Sequence, residues 1–244
     1  MNIFPKLVLL TAAKQAGKDT FARLASELYP GQVRSIALAD WFKSLLAEVT
    51  GFDLEAFYDD RKEAPYQGGP RVLTSLLQAH VLISALLSIP EIRSFLVDCN
   101  HPDRAEKPFH ILANHANRKF LSHRELMVWF GHTFFHECFG SDELHCQITQ
   151  RAMIGLISRD PTCQYLILTD ARTHYESKWF AEYWNRTGRG HATKVFVTTG
   201  KPTDGTAIEN GTQEFPADWF DKTIHNSKTE FEIYKHAVQE ALRL

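Results

Sequence analysis

The feature that most narrows what this chain can become lies near its N-terminus. Leu7-Val8-Leu9-Leu10-Thr11 is an unbroken apolar run, as expected of a strand buried on both faces of a parallel sheet. Ala12-Ala13-Lys14-Gln15-Ala16-Gly17-Lys18-Asp19-Thr20 follows, and a helix is predicted from Asp19 to Tyr29, with Phe21, Leu24, Ala25 and Leu28 at helical spacing. In a strand–loop–helix unit of this kind, loop amides and the helix N-terminus surround phosphate oxygens while a lysine reaches the β- and γ-phosphates. Gly17 and Lys18 match the pattern GxxxxGK[ST]. Ala12 replaces its first glycine and Asp19 its hydroxyl residue, with Thr20 one position later. Ala13, Lys14, Ala16, Gly17, Lys18, Asp19 and Thr20 are therefore candidate ligands for the phosphates of ATP.

A second motif stands far downstream. Tyr165-Leu-Ile-Leu-Thr-Asp170-Ala-Arg172 sets an acid and an arginine just past a buried strand, where doubly wound sheets bind ligands. Asp170 there can hold the hydration shell of Mg2+, and Arg172 can clamp a phosphate with two parallel hydrogen bonds. The plainer alternative makes Asp170 a helix cap and Arg172 a solvated surface charge.

The rest of the chain alternates in the same way. A second strand is expected over about 34–39, with Asp40 capping a helix that stops at Gly51. Residues 52–70 read as loop, and a long helix is expected from Val72 to Ser88. Residues 89–121 carry weak periodicity. Ser122-His-Arg-Glu125 has capping-box spacing and should open a helix through Cys138, with another over 141–158. Strands follow over 164–169 and 194–199, a helix marked by Tyr175, Trp179 and Tyr183 lies between them, and a Gly/Pro/Asp/Asn-rich loop spans 200–217. A short strand ends near Asn226, and Ser227-Lys-Thr-Glu230 should cap a C-terminal helix. This order implies one α/β domain with a mostly parallel, doubly wound sheet and helices on both sides. Its core would comprise about 1–50 and 160–244, and a helical substrate lobe and lid about 51–159. Arg151 and Arg159 are candidate lid cations.

With both motifs in hand, the chain resembles the phage deoxynucleoside-monophosphate kinases. The resemblance is carried by Lys14 with Gly17-Lys18-Asp19-Thr20, Leu38-Ala39-Asp40-Trp-Phe-Lys43, Arg61-Lys62-Glu63, Arg124-Glu-Leu-Met127-Val-Trp-Phe-Gly131, Asp170-Ala-Arg172 and Asn226. It implies a three-layer P-loop kinase fold and transfer of the γ-phosphoryl of ATP, with Mg2+, to a (deoxy)nucleoside monophosphate. It further implies that Lys18, Asp170 and Arg172 serve catalysis and that Asn226 joins the nucleotide site. Lys43, Arg61 and Arg124 would contact the acceptor, whose roughly two negative charges need cations to approach a triphosphate.

Composition trims the alternatives. A net charge of −2 supplies no global basic field for a nucleic-acid backbone. Cys99, Cys138, Cys146 and Cys163 form no CxxC pair, and the longest apolar run, Val81 to Ile89, is too short for a membrane span; a reduced, cytoplasmic protein is expected. A homodimer is a candidate assembly. His132 and His136, with Cys138 and His145, lack the HExxH pattern of a zinc hydrolase, and Trp179, Phe180, Tyr183 and Trp184 read as packing. Two other readings stay open: a kinase acting on a modified base in phage DNA, and a nucleotide-binding regulator on an inactive kinase fold.

Overall fold

The structure, a computed structural model, describes residues 4–12, 16–98, 101–140, 142–199, 215–216, 218–226 and 231–244. Its strands are β1 (Lys6–Ala12), β2 (Val33–Ile36), β3 (Arg71–Val72), β4 (Lys119–Phe120), β5 (Tyr165–Leu168), β6 (Thr193–Thr198) and β7 (Lys222–His225). The first six helices are α1 (Lys18–Leu28), α2 (Asp40–Thr50), α3 (Leu73–Leu76), α4 (Ala79–Leu87), α5 (Pro90–Leu96) and α6 (Lys107–Asn114). They are followed by α7 (His123–Val128), α8 (His136–Phe139), α9 (Asp142–Arg159), α10 (His174–Arg186) and α11 (Phe231–Arg243). Two compact units result, Met1–Leu38 with Thr149–Leu244, and Ala39–Ile148. The sequence set these divisions near 50 and 160; the second observed one falls inside α9.

The first unit is built on a five-stranded, all-parallel sheet in the order β2-β5-β1-β6-β7. β1 is central because Leu7, Val8, Leu9 and Leu10 are each fully buried. Val8 and Leu10 pack with Phe21, Leu24 and Ala25 of α1 and Tyr234, Val238, Ala241 and Leu242 of α11. Strand alternation turns Leu7 and Leu9 to the opposite face. There α10 meets β1 and brings in the fully buried Phe180 and Trp184. Helices on an all-parallel sheet are compatible with a three-layer α/β fold. Trp179 and Tyr183 stack on one another, ring centroids 5.7 Å apart. The expected loop over 200–217 and the Ser227–Glu230 cap lie largely outside the described residues.

The second unit is helical around one apolar core that includes Leu46, Phe57, Leu82, Leu86, Ile92, Trp129, Phe130 and Phe134. The single helix expected over 72–88 is instead α3 and α4, separated by the extended Leu77 and Gln78. The reason is phase. Leu73, Leu76 and Leu77 share a stripe that an unbroken helix would continue through His80 and Ser84, which are exposed. The break resets the stripe so that Leu82 and Leu86 face the core. Before it, β3 pairs antiparallel with β4. The predicted 122–138 helix is continuous but carries a π-helical segment, Trp129–Phe135, between α7 and α8. Among the described residues no single helix is long and apolar enough to cross a membrane.

Candidate functional site

The N-terminal motif sits where β1 hands over to α1. Ala12 is the last residue of β1, in register with Val197 of β6. Extended backbone of that kind suits any residue, so alanine in place of the pattern's first glycine brings no strain there. Gly17 is different. It precedes α1 with φ 99°, in the left-handed region, and a Cβ added there would run into the Asn226 side-chain amide. No side chain among the described residues caps α1, so its leading amides keep their donor capacity and the positive end of its dipole. Ala13 and Lys14 lie outside the described residues.

The two motifs meet because β5 is the neighbour of β1 in the sheet. The Lys18 ammonium lies 3.6 Å from the Asp170 carboxylate. Asp170 is only 10% exposed in its side chain and receives a two-pronged grip from Arg172, Nε to Oδ1 at 3.0 Å and Nη2 to Oδ2 at 3.2 Å. A third tie, from the buried Thr11 hydroxyl to the carbonyl of Ala171 at 2.8 Å, locks the end of β1 to the turn after β5. The capping alternative for Asp170 does not hold: Thr173 caps α10. Its hydroxyl accepts from the Glu176 N–H at 3.1 Å, while the Glu176 carboxylate accepts from the Thr173 N–H at 2.9 Å. Asp19, 89% exposed in its side chain, lies 3.4 Å from Lys18 and faces solvent. Thr20 sits in the first turn of α1, partly exposed.

Asn226 follows β7 and is buried. Its side-chain N–H group donates to the carbonyl of Ala16 at 2.9 Å. Tyr234 of α11, missed by sequence reasoning, donates its hydroxyl to the carbonyl of Gly17 at 3.0 Å. Burial pushes its phenol well above the usual tyrosine range. No local pattern marks Tyr234, whereas the spacing of Thr173 and Glu176 was there to be read.

The candidate acceptor cations belong to the second unit. Lys43 of α2 is 15% exposed in its side chain, 3.5 Å from Asp40, with its ammonium 3.9 Å from the ring centroid of Tyr58. Asp40 is not the cap of α2, which begins after Ala39 without a side-chain cap; its carboxylate accepts from the Tyr58 hydroxyl at 2.9 Å. Burial, reinforced by Asp40, raises the Tyr58 phenol. Arg61 is half-exposed and pairs with Asp59 at 2.7 Å and Asp53 at 3.0 Å. Arg124 is partly buried on α7, beside His123. At the start of α7 the Ser122 hydroxyl accepts from the Glu125 N–H, but Glu125 reaches the N–H of Leu121 rather than that of Ser122, so the expected capping box is displaced by one residue.

His123 is enclosed by Phe52, Phe57 and Tyr66, with ring centroids 4.6, 4.9 and 4.9 Å away. Burial, then the cations Arg61 and Arg71, hold its imidazole below the usual histidine range. His132 and His136 are exposed, and His145 accepts from the Trp41 indole N–H at 3.1 Å. Arg151 and Arg159 lie at exposed positions of α9. No group of three His, Cys, Asp or Glu side chains among the described residues could hold a metal by itself. No model of a known protein family matches the chain, and no protein with a curated description matches it in sequence.

Proposed function

We propose that this protein is a P-loop kinase that transfers the γ-phosphoryl group of ATP to a (deoxy)nucleoside monophosphate, in the manner of the phage kinases it resembles. The observation that carries the reading is the 3.6 Å approach of Lys18 to Asp170. Two motifs distant in sequence, each expected to handle phosphate, converge at the carboxyl ends of adjacent parallel strands. That is the ligand-binding edge of sheets of this class. The donor set also suits the ligands. Magnesium in such sites is held by one or two carboxylates with phosphate oxygens and water, so Asp170, with the Thr20 hydroxyl in the first turn of α1, would supply the protein's share of its shell.

In this mechanism the protein supplies position and charge. The leading amides of α1 bind phosphate oxygens, and Lys18 stabilises charge on the β- and γ-phosphates as it develops. Arg172, gripping Asp170 with two hydrogen bonds, keeps that carboxylate oriented. Asp170 would hold magnesium, which would neutralise part of the phosphate charge. Lys43, Arg61 and Arg124 are the proposed contacts of the acceptor phosphate, with closure over 141–160 excluding water.

The test is a coupled assay of ADP release across the common ribo- and deoxynucleoside monophosphates, with modified duplex DNA as a parallel acceptor. The reading expects ADP in step with conversion of at least one monophosphate. Label passing from γ-labelled ATP to DNA alone hands the site to the DNA-kinase alternative, and ATP binding without any transfer hands it to the regulator.

A further inference from the structure

We infer that Asn226 and Tyr234 are positioning residues that aim the phosphate-binding amides of Gly17 and Lys18; this rests on the phosphate-loop reading above. Asn226 donates to the carbonyl of Ala16 and Tyr234 to the carbonyl of Gly17, so two successive peptide groups are each anchored by their oxygen. Both peptides are trans, and in a planar trans peptide the N–H points opposite to the C=O. Anchoring the Ala16 oxygen on Asn226 therefore turns the Gly17 N–H away from Asn226. Anchoring the Gly17 oxygen on Tyr234 does the same for the Lys18 N–H. These are donors that a phosphate loop presents to its ligand.

The anchors are themselves fixed. Asn226 is 7% exposed and its backbone N–H bonds to the carbonyl of Thr198 at 2.8 Å. Tyr234 is 3% exposed and belongs to the core shared by β1, α1 and α11. The Gly17 oxygen also accepts from the Phe21 N–H at 2.9 Å, the first turn of α1, so Tyr234 joins the loop and the helix start at one atom. The absence of a Cβ at Gly17 is what admits the Asn226 amide so close. This geometry makes Asn226 a support behind the loop, where the resemblance alone would make it a ligand of the nucleotide.

Inorganic tripolyphosphate separates those roles, because it carries the phosphate chain without a nucleoside. Its affinity and that of ATP are measured by ligand-induced shifts in Tm for the wild type, Asn226→Ala and Tyr234→Phe, with the acceptor KM alongside. Positioning predicts that Asn226→Ala weakens both ligands by a common factor of about ten, and Tyr234→Phe by about three to five, as for the loss of one buried hydrogen bond. The acceptor KM should not move. Tyr234→Phe keeps the ring that fills the core, so it remains informative if Asn226→Ala does not fold. Loss of ATP affinity with tripolyphosphate affinity retained would overturn the inference in favour of a nucleoside contact. A lower unliganded Tm with undiminished ligand shifts would reduce both residues to core structure. A wild type that binds neither ligand contradicts the phosphate-loop reading itself, and so fails in a different arm from the inference.

Discussion

Lys18 and Arg61 are both cations beside carboxylates, yet they are held in opposite ways. Lys18 faces a carboxylate brought from a distant part of the chain, on a side chain only 10% exposed, with a second cation gripping the same acid. Arg61 pairs with Asp53 and Asp59, at most eight residues away, on a half-exposed turn. The first arrangement exists because parallel pairing of β1 with β5 brings two strand ends together. The second is closed within one short segment. Exposed pairs of the latter sort are screened by solvent, contribute little and rearrange freely. Charge concentrated by topology at a strand edge is therefore the better mark of function.

The contrast can be broken by substitution. On the proposed function, Asp170→Asn should lower turnover by about 10²–10³-fold, the range for losing one preorganised electrostatic contact from an active site. Metal-free ATP binding should survive, and unchanged magnesium-dependent turnover would remove Asp170 from the site. Lys43→Ala, which strips a half-enclosed ammonium from the Asp40–Tyr58 pair, should raise the acceptor KM by about tenfold, or ~1.4 kcal/mol, with kcat less affected. Arg61→Ala should move the same KM by less than about threefold, in line with solvent-screened pairing. Equal effects at Lys43 and Arg61 would erase the distinction drawn between partly enclosed and exposed cations.

The smallest effect concerns pH. His123 titrates lower in the folded protein than in the unfolded chain because it is buried and flanked by Arg61 and Arg71. The unfolded state therefore binds more protons as pH falls through about 6.5, and stability declines below that point. His123→Gln should flatten the fall in Tm between about pH 7 and pH 5; an identical slope in the variant would show that other groups set it.

Much of the first unit was legible because its signals are local and strong. The apolar β1, the helix spacing of α1 and the motif at Asp170 all follow from residues adjacent in sequence. The second unit resisted for a physical reason: its core is assembled by short helices whose stripes change phase. Leu73, Leu76 and Leu77 point one way and Leu82 and Leu86 another, a shift the sequence contains but a window spanning both averages away. The anchors of the loop were partly hidden as well. Asn226 entered through the resemblance in a different role, and Tyr234 is one aromatic residue on an amphipathic helix until tertiary packing sets its hydroxyl on the carbonyl of Gly17. Thr173 was overlooked beside Asp170, although its spacing to Glu176 names the cap of α10.

The central claim is that the turn from β1 into α1 holds the phosphates of ATP, and Lys18→Met tests it most directly. Transfer rate and Tm, each with and without magnesium-ATP, are compared between this variant and the wild type. The account predicts a rate lower by about 10²–10³-fold. It also predicts a nearly unchanged Tm without nucleotide, and a smaller ATP-induced rise because ligand-linked stability follows affinity for the folded state. Equal rates together with equal ATP-induced shifts would contradict it.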